Sequence, residues 1–549
     1  MELLVKIYDE ILYLCKQLKD KTNLKTNYIE YISALLYIKY STDSFFYDDF
    51  SELYQQRNNY YIAEMIDENL EEIRNKENDK YLFSNIKFKD IIIYRDIGEE
   101  NIWSIVISNL YKIFQNEEIT QKMIAIIYES LLKQCIEEKE FVVDNREFYT
   151  PTSITDLTSK LVAKNEDCKV YDPSCGSGNF LMSAINIFAT QVYGNESNIN
   201  YYNICKTSLL LNQIENSKIK FDNVIDNQFM LNQKFDNVID NKFIQNQKFD
   251  IVMCNPPFST KNWIENADKE NKKIFAEYKM KSTSVGDYAY VLKCLSYLNE
   301  NGNMGIILPH GALFRNSEKE TRKELINKKY INAVIGLPEN LFFGTRLSVV
   351  ILIISKRKTD DTVLFIDASK EYRDSHRKKC YEIPEESVQK IVDVYNERKE
   401  IEGFSHIATT QEIENNEYNL SIKKYVKQIK PNIKVEKIPL AYKILNLERE
   451  ASILEENIKD VLEVLGMDEV TNLKIPKTQN YDFDYSILGK NIKKQRKKKG
   501  YTQEELAEKL EISFKYIARI ESGASGIKIS TLAKLCKILN IEADKLLFD

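Results

Sequence analysis

Apolar residues recur every three to four positions from Met1 to about Glu140, with few Gly or Pro between them, and this spacing predicts an all-α region. The pattern changes after Glu147. Short β-branched runs then alternate with helical stretches: Lys169–Tyr171, Phe249–Met253, Met304–Leu308, Ala333–Ile335 and Val349–Ile354. Such alternation implies a parallel or mixed sheet with helices on both faces. From Pro384 to about Leu465 the helical period returns, and Leu447–Glu456 carries a heptad-like spacing that suits a partner-binding arm or an ordinary amphipathic helix equally. Thr471–Tyr485 is polar, holds Pro476 and reads as a linker, and short helical periods resume at Leu488. The predicted class is multidomain α and α/β. Its segments are a helical region 1–140, an α/β core 141–360, a helical extension and arm 361–470, a linker 471–487 and a small all-α module 488–549.

One stretch breaks this alternation. Phe221–Lys234 is followed directly by Phe235–Lys248, identical except at the paired positions 228/242, 230/244 and 231/245, and Phe249–Val252 begins a third copy. Two units are too few for a solenoid, so the pattern reads as a local tandem duplication with one copy excursing from the sheet.

With 43% hydrophobic and 29% charged residues, a soluble globular chain is expected, and no run is apolar enough for a signal peptide or a membrane span. Nine cysteines without a C-x-x-C pair and three histidines argue against structural zinc or a disulfide framework and point to a reducing cytoplasm. The net charge of −6 is unevenly spread: from Leu488 onward fourteen Lys/Arg face eight Asp/Glu. A basic module on an acidic body suggests contact with nucleic acid.

Two turns carry the candidate chemistry. Asp172-Pro-Ser-Cys-Gly-Ser-Gly-Asn-Phe-Leu181 lies between a strand-like and a helical run, and Gly176 and Gly178 would let backbone approach a ligand. The spacing is not the G-x-G-x-x-G of dinucleotide sites. A further turn at Val192–Glu196 supplies a carboxylate, Glu196, able to take both ribose hydroxyls, and these two features favour S-adenosylmethionine. Upstream, Phe148, Tyr149, Thr150 and Pro151 precede a helix capped near Thr152 or Ser153 and could fold over the methionine end. Asp222 is the first choice for the cofactor's adenine amine, with Asp226, Asp236 and Asp240 comparable because of the duplication. The second turn, Asn255-Pro256-Pro257-Phe258, ends the run Phe249–Cys254. An exocyclic adenine amine is a poor nucleophile because its lone pair is delocalised into the ring. The Asn255 side-chain oxygen and the Pro256 carbonyl can each accept one of its hydrogens and relocalise that pair, with no metal or general base. The two prolines restrict φ and remove two donors, while Phe258 offers a ring to a base taken out of its stack.

In this order, Phe-Tyr-Thr-Pro, Asp-Pro-Ser-Cys-Gly-Ser-Gly, Glu196 and Asn-Pro-Pro-Phe resemble the amino-methylating DNA methyltransferases, in particular the modification subunit of type I restriction-modification systems. The resemblance runs over about Leu12–Val426 and includes Asp287–Leu292, Ile306–Phe314, Ile335–Phe342 and Glu417–Tyr425. It implies a Rossmann-like S-adenosylmethionine-dependent methyltransferase core, S-adenosyl-L-methionine as cofactor, an adenine in double-stranded DNA as target, and a separate specificity subunit, with a restriction subunit as a further candidate partner. It also implies Ser177, Gly178, Asn179 and Glu196 at the cofactor, beside Asp172, Ser174 and Gly176. That family often has Thr where Ser177 stands and Gly where Asn179 stands. Phe342 or Phe343 could stack on the extruded base, although adjacent aromatics at a strand end are more often core.

The tail looks like a repressor-type helix-turn-helix. Thr502 and Glu505 form a capping box, Ala507 suits a close helix crossing, and Ser513–Glu521 is the second helix. Ser513, Lys515, Tyr516 and Arg519 are the candidate groove-facing residues, with Gln503 and the run Lys493–Lys499 toward phosphate. Such a module is not part of the usual modification subunit. Other readings are an rRNA or protein-glutamine methyltransferase sharing Asn-Pro-Pro-aromatic, or a DNA-binding regulator with an inactive methyltransferase body.

Overall fold

The computed structural model describes residues 2–24, 28–41, 49–94, 101–137, 149–163, 167–225, 247–261, 263–342, 347–358, 360–374, 380–427, 485–510, 512–523, 529–539, 541 and 546. The chain forms two compact units, Met1–Lys430 and Pro431–Asp549. In the first, helices α1 (Glu2–Lys21), α2 (Tyr28–Ser41), α3 (Asp49–Gln55), α4 (Ile62–Lys76), α5 (Ile102–Phe114) and α6 (Gln121–Glu137) share one apolar core. Helix α2 is buried without a break from Tyr28 to Ile38. Its lack of a polar face is what an interior helix requires.

Helix α7 (Thr152–Val162), strand β1 (Cys168–Asp172), helix α8 (Asn179–Ile187), strand β2 (Ala189–Glu196), helix α9 (Ile199–Leu211), strand β3 (Ser217–Phe221) and strand β4 (Phe249–Cys254) open the sheet region. Next come α10 (Trp263–Asn266), α11 (Lys269–Glu277), α12 (Asp287–Tyr297), β5 (Leu298–Pro309), α13 (Lys319–Asn327), β6 (Ile331–Gly336) and β7 (Val349–Ser355). The region closes with β8 (Thr362–Asp367), the short pair β9 (Arg373–Asp374) and β10 (Tyr381–Glu382), α14 (Glu385–Glu397), β11 (Ser405–Thr409) and α15 (Thr410–Asn415).

Nine strands make one sheet in the order β11-β8-β6-β7-β5-β4-β1-β2-β3. Strands β3, β2, β1, β4 and β5 are parallel, while β7 runs antiparallel between β5 and β6. From β1 the chain winds one way to β2 and β3, then returns to β4 on the other side of β1. The strand order therefore reverses between β1 and β4, where a crevice opens at the carboxyl ends. Tyr171 pairs with Val252, so the turns after Asp172 and after Cys254 lie side by side at that crevice.

The five β-branched runs are strands, as the pattern predicts. Val192–Glu196, read from sequence as a turn, is instead the end of β2. Pairing with β1 and β3 satisfies its backbone on both sides despite Gly194 and Asn195. The sheet also runs past position 360, because β8 pairs with β6 and β11 with β8. Pro151, rather than Thr152 or Ser153, occupies the cap position of α7, its carbonyl accepting from Ile154 and Thr155. The arm Leu447–Glu456 and most of the duplication lie outside the described residues.

Helix α9 joins the helical region to the sheet. Tyr201, Ile204 and Leu211 pack into the helical core, while Cys205 and Leu209 pack toward the sheet. Asn203 accepts the Phe83 amide at 2.8 Å, and Lys206 reaches Glu77 at 3.1 Å.

In the second unit, α16 (Tyr485–Lys498), α17 (Gln503–Leu510), α18 (Phe514–Glu521) and α19 (Ile529–Leu539) enclose a small core that includes Leu488, Leu506, Ile517 and Leu535. The capping box forms, with Thr502 N donating to Glu505 Oε2 at 2.7 Å and Glu505 N to Thr502 Oγ1 at 3.1 Å. Ala507 is buried, and a close helix approach also occurs at Gly489, where a Cβ would lie 2.4 Å from the Ile520 carbonyl.

Candidate active site

The turn after β1 is built around two glycines in the left-handed region. Gly176 (φ +54°) has open space where a Cβ would stand, and Gly178 (φ +89°) would drive a Cβ to 2.9 Å from Cys205 Sγ. The first glycine keeps the cavity wall clear; the second lets α8 start directly on α9. Gly176 N donates to Glu196 Oε2 at 2.8 Å and Asn198 N to Glu196 Oε1 at 2.7 Å. Burial pushes the Glu196 carboxyl upward, opposed by these amides. Asp172, almost fully buried, accepts Ser174 N at 3.0 Å, and burial raises it well above the usual carboxylate range, with Glu196 adding repulsion. Two adjacent buried acids with few cations near them suit hydrogen-bond donors such as hydroxyls better than an anionic ligand.

At the end of β4, Asn255 is held by one side of its amide. Its Nδ2 donates to Thr150 Oγ1 at 2.8 Å, while Oδ1 is buried and has no hydrogen-bond partner. Buried acceptors are almost always satisfied, so an orphaned carboxamide oxygen lining a cavity is a docking point for a donor. The same Thr150 accepts Asn179 Nδ2 on its backbone oxygen at 2.8 Å, tying the two turns together. Asn179, where the family often has Gly, thus adds a bond.

One cavity takes in Tyr149, Thr150, Asp172, Ser174, Gly176, Ser177, Asn179, Glu196, Asp222, Asn255, Pro256 and Pro257 together. Asp222 flanks it beside Lys220 (3.5 Å), and burial raises its carboxyl, partly offset by that lysine. Phe148, Asp226, Asp236, Asp240 and Phe343 lie outside the described residues. Pro151 caps α7 beside the cavity, and Gly178 is turned toward Cys205. Phe258 is only 9% exposed and meets Phe342 edge-to-face at 6.5 Å. Phe342 itself is core, 1% exposed, which removes it as an open stacking platform.

Tyr201, Ser197, Val224 and Tyr290 also line the cavity and were not singled out from the sequence. Tyr290 had a signal: it is one helical turn after Asp287 in a segment shared with the resembling family.

In the C-terminal unit, Ser513 caps α18, and Ser513, Lys515 and Arg519 are exposed, with Tyr516 half-buried. Gln503 is engaged internally: its Nε2 donates to Glu521 Oε2 at 2.7 Å. Arg496, inside the basic run, is likewise spent on Glu521, at 2.5 and 3.0 Å. A buried carboxylate needs such donors, so neither side chain is available to phosphate as it stands.

The Type I restriction enzyme MpnII methylase subunit of Mycoplasma pneumoniae is 29% identical over 343 residues, covering 59% of this chain and 60% of that protein. The MjaIX methylase subunit of Methanocaldococcus jannaschii is 29% identical over 449 residues, 74% of each chain. The chain thus spans about 60% of the length of the MpnII relative and somewhat less of two further ones, at 57% and 56%. Among solved structures, a type I restriction-modification methyltransferase subunit from Streptococcus thermophilus superposes with a TM-score of 0.59 at 24% identity, covering 77% of this chain and all of that one, and so shares its fold. A helix-turn-helix family model matches residues 492–546. The N-6 DNA methylase family model matches residues 120–432, more than half of the sequence, and the chain belongs to that family.

Proposed function

We propose that this chain transfers a methyl group from S-adenosyl-L-methionine to the exocyclic amine of an adenine flipped out of double-stranded DNA, as the modification subunit of a type I restriction-modification system in the cytoplasm. The observation that carries this reading is the orphaned Asn255 Oδ1, buried and fixed by the bond from Nδ2 to Thr150.

When bound, the cofactor supplies an electrophilic methyl on sulfur. The residues of the chain do the rest. Gly176 leaves room for the cofactor, Glu196 takes its ribose hydroxyls, Asp222 its adenine amine, and Tyr149–Pro151 with Ser177 and Asn179 bound its amino-acid end. Asn255 Oδ1 and the Pro256 carbonyl accept the two amine hydrogens and turn the nitrogen lone pair toward the methyl. Because these acceptors are set before substrate arrives, no reorganisation is needed during transfer. Phe258, 9% exposed, would meet the base with the little of its ring that is open. The surplus proton is lost through the accepting oxygens to solvent.

The relatives are methylase subunits of type I restriction enzymes, which supports assembly with further subunits of such an enzyme; a separate specificity subunit, and then a restriction subunit, are the partners proposed. In the tail, Ser513, Lys515, Tyr516 and Arg519 are the groove-facing set.

The test is to incubate the full chain, alone and with the neighbouring gene's product, with labelled S-adenosylmethionine and unmethylated genomic DNA. Label is expected on adenine N6, and Asn255→Ala should reduce transfer by about 10²- to 10³-fold while cofactor affinity holds. Label in protein or RNA with none in adenine would overturn the reading.

A further inference from the structure

The Asn255 turn is held in front by Thr150 and behind by a second set of residues. Ser259, the first residue after Phe258, has φ +54°, a conformation uncommon outside glycine. Its amide donates to Asp287 Oδ1 at 2.7 Å. Asp287 has no exposed surface, and its other oxygen takes Arg315 Nη2 at 2.5 Å. Arg315 in turn donates Nη1 to Glu318, also fully buried, at 3.1 Å. Next to this, Gly286 N donates to the Thr260 carbonyl at 2.9 Å, and Thr260 Oγ1 donates to the Pro257 carbonyl at 3.1 Å. Gly286 is closely packed: a Cβ would lie 3.1 Å from Thr260 Cβ, and Thr260 would have to give slightly to take it. Asp287 starts α12, whose Tyr290 lines the cofactor cavity one turn on.

The turn is thus fixed at both ends, and the Pro256 carbonyl lies between the two clamps. We propose that Asp287 is a positioning residue for methyl transfer: by holding Ser259 left-handed it sets where the Pro256 carbonyl and the Phe258 ring stand, and Arg315 neutralises the buried carboxylate that does so. The inference rests on the adenine-methylating reading above. Its physical basis is that a displacement of about 1 Å at a reacting group costs on the order of 10²-fold in rate, while the cofactor is held by residues elsewhere in the cavity.

The test compares single-turnover methyl transfer, cofactor affinity and thermal stability in the full chain with the neighbouring gene's product. Asp287→Ala is expected to slow transfer about 10²-fold with cofactor affinity within about twofold. Asp287→Asn, which keeps an acceptor for Ser259, should lose less. Glycine holds positive φ without a clamp, so adding Ser259→Gly to Asp287→Ala should restore transfer at least about tenfold. A merely structural role predicts no such rescue. Wild-type transfer by Asp287→Ala, or cofactor affinity falling in step with transfer, overturns the proposal, as does absence of rescue. Should Asp287→Ala fail to fold, Arg315→Gln reads the same clamp: slower transfer at unchanged cofactor affinity supports it, and unchanged transfer overturns it. Asn255→Ala run alongside separates the two levels. If the unaltered chain puts no label on adenine, the methylation reading fails; if Asn255→Ala leaves transfer intact, the role of Asn255 fails; if Asn255→Ala abolishes transfer while Asp287→Ala does not, this inference alone fails.

Discussion

Thr150 uses both of its oxygens to join two motifs that are 76 residues apart in sequence, counted from Asn179 to Asn255. Its carbonyl fixes Asn179 at the start of α8, and its hydroxyl fixes Asn255 at the end of β4. The second bond decides which end of the carboxamide faces the cavity. If Nδ2 faced the incoming amine instead, donor would meet donor and the lone pair would not be relocalised. Thr150→Val keeps shape and removes the acceptor, leaving a buried N–H whose missing partner costs about 1–3 kcal/mol. Transfer is expected to fall about tenfold or more, in line with that energy, whereas Thr150→Ser should retain most of it. Equal rates for Val and Ser in a single-turnover assay would show that the hydroxyl does not orient Asn255. Glu196 illustrates the other demand on single residues. Its two oxygens are already engaged by Gly176 and Asn198 amides, so the carboxylate presents its remaining lone pairs in a fixed direction.

Among elements, α2 is the least tolerant of charge, yet it carries Glu30. That carboxyl is 1% exposed, its Oε1 has no partner, and its Oε2 takes only a long bond from Asn85 at 3.4 Å. Burial pushes it up to about 8 from 4.5, with the Asn85 bond opposing. A raised folded-state value favours the protonated form. The resulting stability is fully present below pH 4.5 and is lost as pH rises through about 8. A shift of that size corresponds to on the order of 5 kcal/mol. Glu30→Gln should therefore raise the melting temperature at pH 8 and make little difference at pH 5. A gain of the same size at both values would contradict the assignment. The pattern of elements was legible where the chemistry is simple. Runs such as Val349–Ile354 are buried on both faces and can be little else than central strands. Strand β2 was hidden because Gln191, Gly194 and Asn195 spoil its alternation, and only pairing on both sides makes it a strand. Strand β8 carries the apolar run Val363–Ile366, which is itself strand-like, but it follows the charged stretch Lys356–Asp361, and only its pairing with β6 shows that it continues the same sheet. At the site, Asn255, Glu196 and the glycine turn were readable from residue type and order. Tyr290 and Asp287 are visible in the sequence only as part of the family-like segment Asp287–Leu292, and the place of each depends on how α12 packs behind the turn after β4. The internal use of Gln503 and Arg496 was likewise invisible, since Glu521 reaches them only once α18 crosses α16.

Over the whole molecule, charge is divided by position: the tail from Leu488 holds fourteen Lys/Arg and eight Asp/Glu, while the net charge of the chain is −6. The residues before the tail thus carry a net charge of −12, which by itself disfavours approach to a phosphate backbone. On the function proposed above, the basic helix-turn-helix would offset that repulsion and raise the local concentration of DNA. Removing residues 488–549 is expected to leave single-turnover transfer at saturating DNA nearly unchanged and to weaken DNA binding most at low salt. The slope of log affinity against log salt concentration should become shallower, because each phosphate that the protein ceases to neutralise keeps about one counterion that binding would otherwise release. Within the tail, two kinds of residue separate. Lys497, Lys498 and Lys499 are exposed at the end of α16, and replacing them with Ala should flatten the salt slope evenly across DNA sequences. Lys515→Ala with Arg519→Ala, on the exposed side of α18, should instead erase preference among the fragments of a randomised duplex pool, at about 1–3 kcal/mol for each base that is no longer read. If the tail assists methylation by charge alone, both variants will weaken binding without changing the preference among sequences; if neither changes binding, the helix-turn-helix has no part in holding DNA for the methyltransferase.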